Sequence, residues 1–559
     1  MNLIGLNDFS HDVTAALVVN GEVVLAGEEE RFSRKKHHHG FIRGGGPPDR
    51  ALAWCLSAAG LRGLRDIDAV VLSWAEMGPC RWFLARHAAL QCYRRADVKH
   101  LPATAVQVGN TELLTEVIAR YKCRRRFLRR LSSQVPLVEV PHHLSHASYA
   151  YRTSPFDEAA IFVLDAAGEN ASTSVYHACG NKLRELVRFP ISQSLGILYG
   201  MVTRFLGLGR DAEGKTMALA SYGQPLKLSF VTYDRRKDKF FLFYNRLAEL
   251  RRFQRSVSDP IEEIHADIAA TLQRDVQNAL EAFIDSYVQK TGTSAVCIGG
   301  GVGLNCTANG RLISGGNISR LYVPAAPNDC GTAVGAALEH ESKFNDCFQM
   351  SWRHSFLGMR SSLEEMKDSL TRYGSLYQVL GCDAINQIAN DVLGGRVVGV
   401  FRGSAEFGPR ALGNRSILAD PSISGVKDRI NIRVKGREPW RPLAVMVLEE
   451  DTLALFGKSV CTPFMNVALP ATPTARRFMP DIIHRDRTVR IQTIANDISN
   501  IYCRILMDVK SARGIGVMIN TSFNGRLEPI VNTPEEALRT FYETEMDILY
   551  FGDFFRVWK

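Results

Sequence analysis

The feature that most constrains the fold of this 559-residue chain is a strand-and-turn pattern that occurs twice. Residues 3–30, LIGLNDFSHDVTAALVVNGEVVLAGEEE, have the pattern of a strand, a polar turn, a second strand, a tight Asn-Gly hairpin and a third strand. Residues 159–189, AAIFVLDAAGENASTSVYHACGNKLRELVRF, repeat this order with a Gly-Asn hairpin. Apolar runs joined by such turn dipeptides are good hairpin signals. The sequence therefore predicts a duplicated sheet plan of the α/β class.

Such a duplication is typical of the actin, sugar-kinase and heat-shock ATPase superfamily, in which each polar turn faces nucleotide phosphates or their metal ion. A third turn, in SAVCIGGGVGLNCTANGRL at 294–312, follows a strand and is rich in glycine. Gly299, Gly300 and Gly301 would let a ligand approach the backbone closely, and Asn305 opens the helix that follows. This turn favours nucleotide binding by the N-terminal half.

Cationic side chains are concentrated among turn residues of the C-terminal part. Those that lie within about forty residues of one another, in segments broken by Gly and Pro, are Arg402, Arg410, Arg415, Lys435, Arg437 and Arg441. Asn520 and Ser522 follow a later strand. Guanidinium groups make bidentate bonds to oxyanions, and amides and hydroxyls fill the remaining lone pairs. The pattern predicts a site for a phosphate-type anion in preference to a solvated charged surface.

Two histidines, His142 and His146 in VPHHLSHASYAY, stand four residues apart. On a helix this spacing places both imidazoles on one face, close enough to share one ion. The same spacing is common among polar residues that bind nothing. The pair by itself therefore leaves both interpretations open.

Length and composition limit the class of protein. The length predicts two or three domains, and no apolar stretch approaches the roughly 18 residues of a membrane helix. The N-terminus lacks the basic start and apolar core of a signal peptide, and the twelve cysteines form no C-x-x-C pair. We therefore expect a cytoplasmic protein with reduced thiols and no membrane partner.

A basic block, RYKCRRRFLRR at 120–130, contributes to the net charge of +10. Such a block is able to bind nucleic acid, but a solvated helix face or a clamp for a small anion is the more common role. We expect no nucleic-acid partner.

Six segments along the chain carry a family resemblance: PHHLSHA, GKTMALASYG, GGGVGLNCTANGRL, FRGSAEFGPRALGNRSILADP, VKGREPWRPLA and NTSFNGRLEPIVNTPEEA. In this order they resemble the O-carbamoyltransferases of nodulation-factor and antibiotic tailoring, over essentially the whole chain. The resemblance implies an actin-like domain, for which we predict residues 1–345, a connector at 346–385 and a YrdC-like α/β domain at 386–559.

The resemblance also implies a reaction. Carbamoyl phosphate and ATP, with Mg2+, would form carbamoyl adenylate in the second domain, and the first domain would pass the carbamoyl group to a hydroxyl of a small-molecule natural product. A divalent ion, Fe(II) in the family, would lie in the first domain. A homodimer is the default expectation.

The resemblance also implies roles for individual residues, according to their positions in the matching motifs. The metal ligands implied are His142, His146, Asp165 and Asp329. His11, beside Asp12, is the candidate general base because the pKa of an imidazole lies near working pH. The residues implied in binding carbamoyl adenylate are Lys36, Lys215, Gly299, Gly300, Gly301 and Asn305. Those implied in binding carbamoyl phosphate and ATP are Arg410, Arg415, Lys435, Arg437, Arg441, Asn520 and Ser522.

Two departures from the family pattern bear on the acceptor. The second polar turn reads DAAGEN where a bulkier residue is frequent, and PWRPLA stands in place of PFRPFAP. Neither removes a charged group. Two other interpretations stay open: a tRNA threonylcarbamoyladenosine-type modifying enzyme, and a nucleotide-binding sensor without catalysis.

Overall fold

The structure is a computed structural model that describes residues 1–75, 110–345, 349–381 and 384–559. By its internal contacts the chain divides into two compact units. Unit 1 consists of Met1–Glu29 and His37–Trp352, and unit 2 consists of Glu30–Lys36 and Arg353–Lys559. A short segment near the N-terminus thus belongs with the C-terminal part of the chain.

Unit 1 contains two five-stranded sheets and a separate hairpin. In chain order its strands are β1 (Asn2–Asn7), β2 (Thr14–Val19), β3 (Glu22–Glu28), β4 (Ala69–Leu72), β5 (Leu137–Glu139), β6 (Glu158–Leu164), β7 (Ala171–Cys179), β8 (Lys182–Pro190), β9 (Val231–Asp234), β10 (Lys239–Leu242), β11 (Ala295–Gly299) and β12 (Arg320–Tyr322). The strand orders of the two sheets are β3-β2-β1-β4-β5 and β8-β7-β6-β11-β12.

The two sheets have the same topology. In each, three sequential strands form an antiparallel meander, and two later strands add in parallel beside the first. The predicted duplication of the actin type is therefore confirmed. Asn20 and Gly21 both have positive φ, 49° and 85°, as a two-residue hairpin between β2 and β3 requires.

The parallel strands form the core of unit 1. β1, β4, β6 and β11 are buried almost throughout, as strands covered on both faces are. In such sheets, ligands bind beyond the carboxyl ends of the strands. This places the expected site near Asn7, Ser73, Leu164 and Gly299.

The helices that begin in residues 29–341 are α1 (Glu29–Ser33), α2 (Asp49–Ala58), α3 (Asn110–Ser132), α4 (His142–Arg152), α5 (Leu195–Phe205), α6 (Glu213–Ala220), α7 (Asn245–Glu249), α8 (Glu263–Thr291), α9 (Cys306–Ser314) and α10 (Cys330–Glu341). None of the helices in the described part of the chain combines the length and the apolar composition that a bilayer crossing requires.

Helix α10 packs tightly against both β1 and α4. A Cβ on Gly5 of β1 would lie 1.9 Å from the carbonyl oxygen of Ala333, and a Cβ on Gly335 would lie 1.9 Å from that of Ser145. Only glycine permits these two approaches. They bring the start of α10 beside the start of α4.

Unit 2 is built on one mixed sheet. Its strands are β13 (Leu376–Val379), β14 (Val398–Phe401), β15 (Arg415–Ala419), β16 (Ala444–Leu448), β17 (Val467–Pro470), β18 (Thr488–Ile494), β19 (Val517–Ser522), β20 (Ile548–Phe551) and β21 (Phe555–Trp558). Their order is β13-β21-β20-β14-β15-β19-β16-β18-β17, with the β14–β20 and β16–β18 pairs parallel. Unit 2 is of the predicted α/β class.

The helices of unit 2 after residue 352 are α11 (Leu363–Arg372), α12 (Ala384–Leu393), α13 (Val426–Asp428), α14 (Thr452–Phe456), α15 (Pro473–Phe478), α16 (Ile501–Arg513) and α17 (Pro534–Glu543). α12 and α16 bury their apolar faces against the sheet in one cluster. A π-helical turn, Arg429–Val434, continues α13.

The division between units falls at Trp352 and Arg353, inside the predicted connector 346–385. Within that stretch, Ser362 and Glu365 form a capping box that starts α11, and β13 joins the edge of the sheet of unit 2. Residues 346–348 and 382–383 of the stretch lie outside the described residues. Most of the described connector therefore belongs to the fold of unit 2.

Candidate functional site

Four buried side chains converge in unit 1. His142 and His146 lie in the first turns of α4, Asp165 follows β6, and Asp329 directly precedes α10. The two Nε2 atoms are 3.2 Å apart, and His142 Nε2 lies 3.5 Å from Asp165 Oδ2 and 3.6 Å from Asp329 Oδ1. One ligand atom from each of the four residues lies within 4.8 Å of all the others. The structure thus brings the four predicted metal ligands together.

The donor set fits a first-row divalent ion. Two imidazole nitrogens and two carboxylate oxygens suit such an ion and leave coordination positions open. Asp329 Oδ1 is buried and has no hydrogen-bond partner within the described residues, although it faces both histidines. A buried carboxylate oxygen without a donor is costly unless a cation lies beside it.

The orientation of His142 suits coordination through Nε2. Its Nδ1 donates a hydrogen bond to the carbonyl oxygen of Ser73, at 3.3 Å, which leaves the Nε2 lone pair for an ion. The indole of Trp74 stacks on the imidazole with ring centroids 3.9 Å apart. The end of β4 therefore fixes both the tautomer and the plane of this ring.

The electrostatics of the cluster favour positive charge. Burial alone would lower the pKa of His142, but the carboxylates of Asp329 and Asp165 outweigh it and raise the pKa to about 10. Burial would raise the pKa of Asp329, and the charges of His11 and His142 hold it well below its usual range instead. A proton on His142 would therefore offset part of the charge of the two carboxylates.

His11 and Asp12 lie beside this cluster, in the polar turn after β1. His11 Nδ1 lies 2.7 Å from Asp12 Oδ2, and its Nε2 lies 3.9 Å from Asp329 Oδ2. Asp12 has a φ of 54° and accepts hydrogen bonds from His37 Nδ1 at 3.0 Å and from Asn328 Nδ2 at 2.8 Å. The Asp12 carboxylate thus orients His11 toward Asp329, one of the predicted metal ligands.

His11 is also reachable, since 22% of its side chain is exposed. Desolvation alone would lower the pKa of His11, but the carboxylates of Asp329 and Asp12 raise it to about 9. An imidazole must be neutral to accept a proton, so His11 would act as a base only if the charge of Asp329 were neutralised.

The glycine turn after β11 contacts Asp165, one of the predicted metal ligands. The backbone N–H of Gly301 donates to Asp165 Oδ1 at 3.4 Å. Gly300 has a φ of 87°, and a Cβ there would lie 2.2 Å from the carbonyl oxygen of Leu164. A Cβ on Gly299 would lie 3.1 Å from the carbonyl oxygen of His146. The three predicted glycines therefore lie against the cluster of two histidines and two aspartates.

Two other predicted adenylate contacts are placed differently. The side chain of Asn305 caps α9 by accepting from Ala308 N and forms a reciprocal amide pair with Gln273, at 3.0 and 3.1 Å. Its polar atoms are therefore engaged in the fold. Lys215 lies half-buried in the first turn of α6.

In unit 2, the buried Lys435 lies in a second candidate site, which suits an anion. Lys435 Nζ donates to the carbonyl oxygen of Ser522, to Ser522 Oγ at 3.0 Å and to Asn524 Oδ1 at 2.7 Å, and all three acceptors are neutral. Burial, followed by the charges of Arg437, Lys36 and Arg441, lowers its pKa well below the usual range. An anion at this position would compensate the charge.

Arginines surround Lys435. Burial and the charges of Arg441 and Arg490 lower the pKa of Arg437 to about 9, with a further contribution from Arg410. Glu438 is the carboxylate that opposes this effect. The structure thus brings the predicted Arg410, Lys435, Arg437, Arg441 and Ser522 into one region with Arg490. We refer to the five cationic residues of this region as the cation cluster.

Lys36 belongs to unit 2 and not to the N-terminal domain in which the sequence predicted it to act. Its segment is held there by Arg31, which donates to the carbonyl oxygen of Gly408 at 2.8 Å, and by Arg34, which donates to that of Ile530 at 2.9 Å. Partial desolvation, together with Arg441 and Arg437, lowers the pKa of Lys36 against the influence of Glu30. Lys36 is therefore a further member of the cation cluster.

Arg415 and Asn520 are not brought to the anion site as ligands. Arg415 is fully buried, stacks on Phe401 with 3.9 Å to the ring centroid, and donates to the backbone carbonyls of Met359 at 3.0 Å and Gly403 at 3.2 Å, among others. Asn520 Nδ2 donates to Gln492 Oε1 at 2.7 Å inside the sheet. Arg415 therefore holds the loop that joins β14 to β15, and Asn520 Nδ2 also donates to the carbonyl oxygen of Ala411 in that loop, at 3.3 Å.

Arg490 was missed by the sequence reasoning. It lies in β18, in the alternating segment TVRIQTI, without the Gly and Pro turns that marked the other arginines. The available signal was a lone arginine in an otherwise apolar strand, because such a residue must find a partner or an anion within the fold.

The members of the basic block at 120–130 differ in how far they are buried. Arg124 is buried and makes a bidentate ion pair with the fully buried Asp8, at 2.7 and 3.1 Å. Lys122, Arg125 and Arg129 are exposed on α3. At least one member of the block is thus structural.

Comparisons with family models and with known proteins agree on one family. The family model described as carbamoyltransferase N-terminus matches residues 2–338, and that described as carbamoyltransferase C-terminus matches residues 389–557. The nodulation protein NolNO of Sinorhizobium fredii is 32% identical over 575 residues, which cover 98% of this chain and 79% of that protein. The nodulation protein NolO of Bradyrhizobium diazoefficiens is 34% identical over 434 residues, covering 74% of this chain and 78% of the relative.

Among solved structures, full-length HypF in its phosphate- and nucleotide-bound form is similar over 63% of this chain and 56% of its own, at 13% identity and a TM-score of 0.36.

Proposed function

Because this chain belongs to the carbamoyltransferase family, we propose that it is an ATP-dependent O-carbamoyltransferase that forms carbamoyl adenylate in unit 2 and transfers the carbamoyl group to a small-molecule hydroxyl in unit 1. The observation that carries the proposal is the presence, on one chain, of a buried two-histidine, two-aspartate cluster beside His11 and a separate cation cluster. One site suits a metal ion and a base, and the other suits phosphates.

Unit 2 supplies positive charge for the activation step. Water would cleave carbamoyl phosphate to carbamate and inorganic phosphate. A carbamate oxygen would then bond to the α-phosphorus of ATP, and the bond to the β-phosphate would break to release pyrophosphate. Lys435, Arg437 and Arg490 would bind phosphoryl oxygens and offset the charge that builds on them, with Mg2+ accompanying ATP.

Unit 1 supplies the base for the transfer step. His11 would accept the proton of the acceptor hydroxyl through Nε2 as the hydroxyl oxygen bonds to the carbamoyl carbon and the bond to AMP breaks. Asp12 would hold the ring through Nδ1 and stabilise the imidazolium. A divalent ion, Fe(II) in our proposal, held by His142, His146, Asp165 and Asp329 would neutralise charge on the departing phosphate. With the charge of Asp329 neutralised, the pKa of His11 would fall toward the working pH.

The test is pyrophosphate release from ATP by the purified full chain, with and without carbamoyl phosphate, in the absence of an acceptor. We expect release that depends on carbamoyl phosphate, loss of that release in Arg410→Ala, and its retention in His146→Ala. Nucleotide binding without any pyrophosphate release, with or without a panel of hydroxylated acceptors, would favour a sensor and contradict the proposal. The acceptor class, the cytoplasmic location and the homodimer stay predictions from the sequence.

A further inference from the structure

The turn that carries Asp165 also carries an acidic residue to which the mechanism gives no part. Glu169, in the same DAAGEN turn, directs Oε1 at two backbone N–H groups. It accepts from His142 N at 2.8 Å and from Ala75 N at 3.2 Å. One carboxylate oxygen thus joins the turn after β6, the first residue of α4 and the segment after β4.

Each of the three joined segments contains or contacts a predicted metal ligand. The turn contains Asp165, α4 begins with His142, and the segment after β4 contains Ser73, whose carbonyl oxygen accepts from His142 Nδ1. Ser73 Oγ also accepts a hydrogen bond from Thr332 Oγ1 at 2.9 Å, in the first turn of α10 behind Asp329. Glu169 is therefore bonded to the elements that present His142, and it stands on the turn that presents Asp165.

The neighbouring residue gives a second, independent contact between the same turn and α4. A Cβ on Gly168 would lie 2.7 Å from Cδ2 and 2.9 Å from Nε2 of His143, so the turn rests directly on that ring. His143 is buried, and its Nδ1 lies 2.7 Å from Ser174 Oγ of β7. The turn therefore meets α4 at two consecutive histidines, through the His143 ring and the His142 backbone.

We propose that Glu169 is a positioning residue of the metal centre, which holds the first turn of α4 so that His142 Nε2 faces Asp165 and Asp329. The bond to the His142 backbone fixes the position of the helix, while Ser73 fixes the rotation of the ring. A carboxylate at the start of α4 also interacts favourably with the helix dipole. The inference rests on the proposed metal site.

Two variants distinguish the effect of the length of the Glu169 side chain from the effect of its charge. Glu169→Asp keeps the charge but shortens the side chain, so it cannot bridge both N–H groups. Glu169→Gln keeps the length and an oxygen that accepts both bonds, but removes the charge. We expect Glu169→Asp to weaken Co2+ binding to the ion-free full chain by about 10- to 100-fold, as loss of an outer-shell partner does, and to change the visible absorption of bound Co2+. Glu169→Gln should stay within about threefold of the native chain.

The measurement is calorimetric titration with Co2+ alone, together with absorption spectra of the loaded protein. Glu158→Ala is the matched control, since Glu158 lies on β6, is half exposed and pairs with His177 at 2.8 Å away from the site. Equal affinity of Glu169→Asp and the native chain would overturn the proposal, and so would a loss confined to Glu169→Gln. Failure of the native chain itself to bind Co2+ would instead refute the metal site.

Discussion

Replacing Arg437 by methionine should make the ligand-free protein more stable and remove its affinity for phosphate. Arg437 contributes charge to a group of cations that repel one another, and burial together with Arg441 and Arg490 lowers its pKa from 12.5 to about 9. The guanidinium remains charged at neutral pH, so the repulsion is present whenever the anion is absent. Methionine keeps much of the side-chain length without the charge.

The magnitude follows from that pKa. A lowering of about 3.5 pH units corresponds to about 5 kcal/mol at 1.36 kcal/mol per unit. The lost bond from Arg437 Nε to Asn431 Oδ1, at 2.9 Å, costs about 1 kcal/mol in return, and solvent screening reduces the gain further. We therefore expect the free energy of unfolding of unit 2 to rise by about 1–4 kcal/mol, the range that also applies when a buried ion pair or triad is replaced by apolar residues.

The assay is scanning calorimetry of the full chain with and without inorganic phosphate. In the native protein, phosphate should raise the melting temperature of one transition, by an amount equivalent to about 2.7 kcal/mol at a hundredfold excess over Kd. In Arg437→Met that transition should begin higher and should no longer respond to phosphate.

Arg433→Met is the control, because Arg433 lies in the π-helical turn that precedes Arg437, is 65% exposed and pairs with Glu545 at 3.3 Å. It should change stability by less than about 0.5 kcal/mol and keep the response to phosphate. A less stable Arg437→Met protein that still responds to phosphate would refute the reasoning.

Three further predictions concern unit 1. His146→Ala should abolish both Co2+ binding and carbamoyl transfer while leaving carbamoyl-phosphate-dependent pyrophosphate release intact; loss of all three would mean that the two steps share one site. Because the pKa of His142 is raised to about 10, an ion must displace its proton, so Co2+ affinity should rise about tenfold per pH unit from pH 7 to 9. Calorimetry in two buffers would detect the released proton, and an affinity independent of pH would contradict the prediction. Arg124→Met should cost about 3–5 kcal/mol in denaturant unfolding, because it leaves Asp8 buried without its partner; Asp8→Asn in the same background should recover part of the loss.

The local plan of unit 1 could be predicted because its signals are local. A hairpin such as Asn20-Gly21 needs two residues with positive φ, and the sequence states which residues those are. The duplicated order then brings the carboxyl ends of β1, β6 and β11 together without further information. Asp165 and the glycine turn after β11 are close in space for that reason, whereas the spacing of His142 and His146 alone did not decide the role of the two histidines.

Side-chain direction could not be predicted in the same way. Arg415 and Arg410 stand in one motif, yet the pairing of β15 with β14 places Arg415 opposite Phe401 and turns its guanidinium onto backbone carbonyls. Lys36 was predicted to lie in the wrong unit, for a different reason. The unit to which a segment belongs depends on contacts made hundreds of residues away, such as that of Arg34 with Ile530, and no local pattern records them.

The membership of residues 30–36 in unit 2 has a consequence for how the protein is made. These residues leave the ribosome early, but the carbonyl groups that Arg31 and Arg34 bind belong to Gly408, Pro529 and Ile530, which are synthesised far later. Domains usually fold in order of synthesis, N-terminal first. Here the contacts of residues 30–36 with the rest of unit 2 cannot be completed until Ile530 has emerged, and an isolated fragment beginning at Arg353 would lack a part of its own fold.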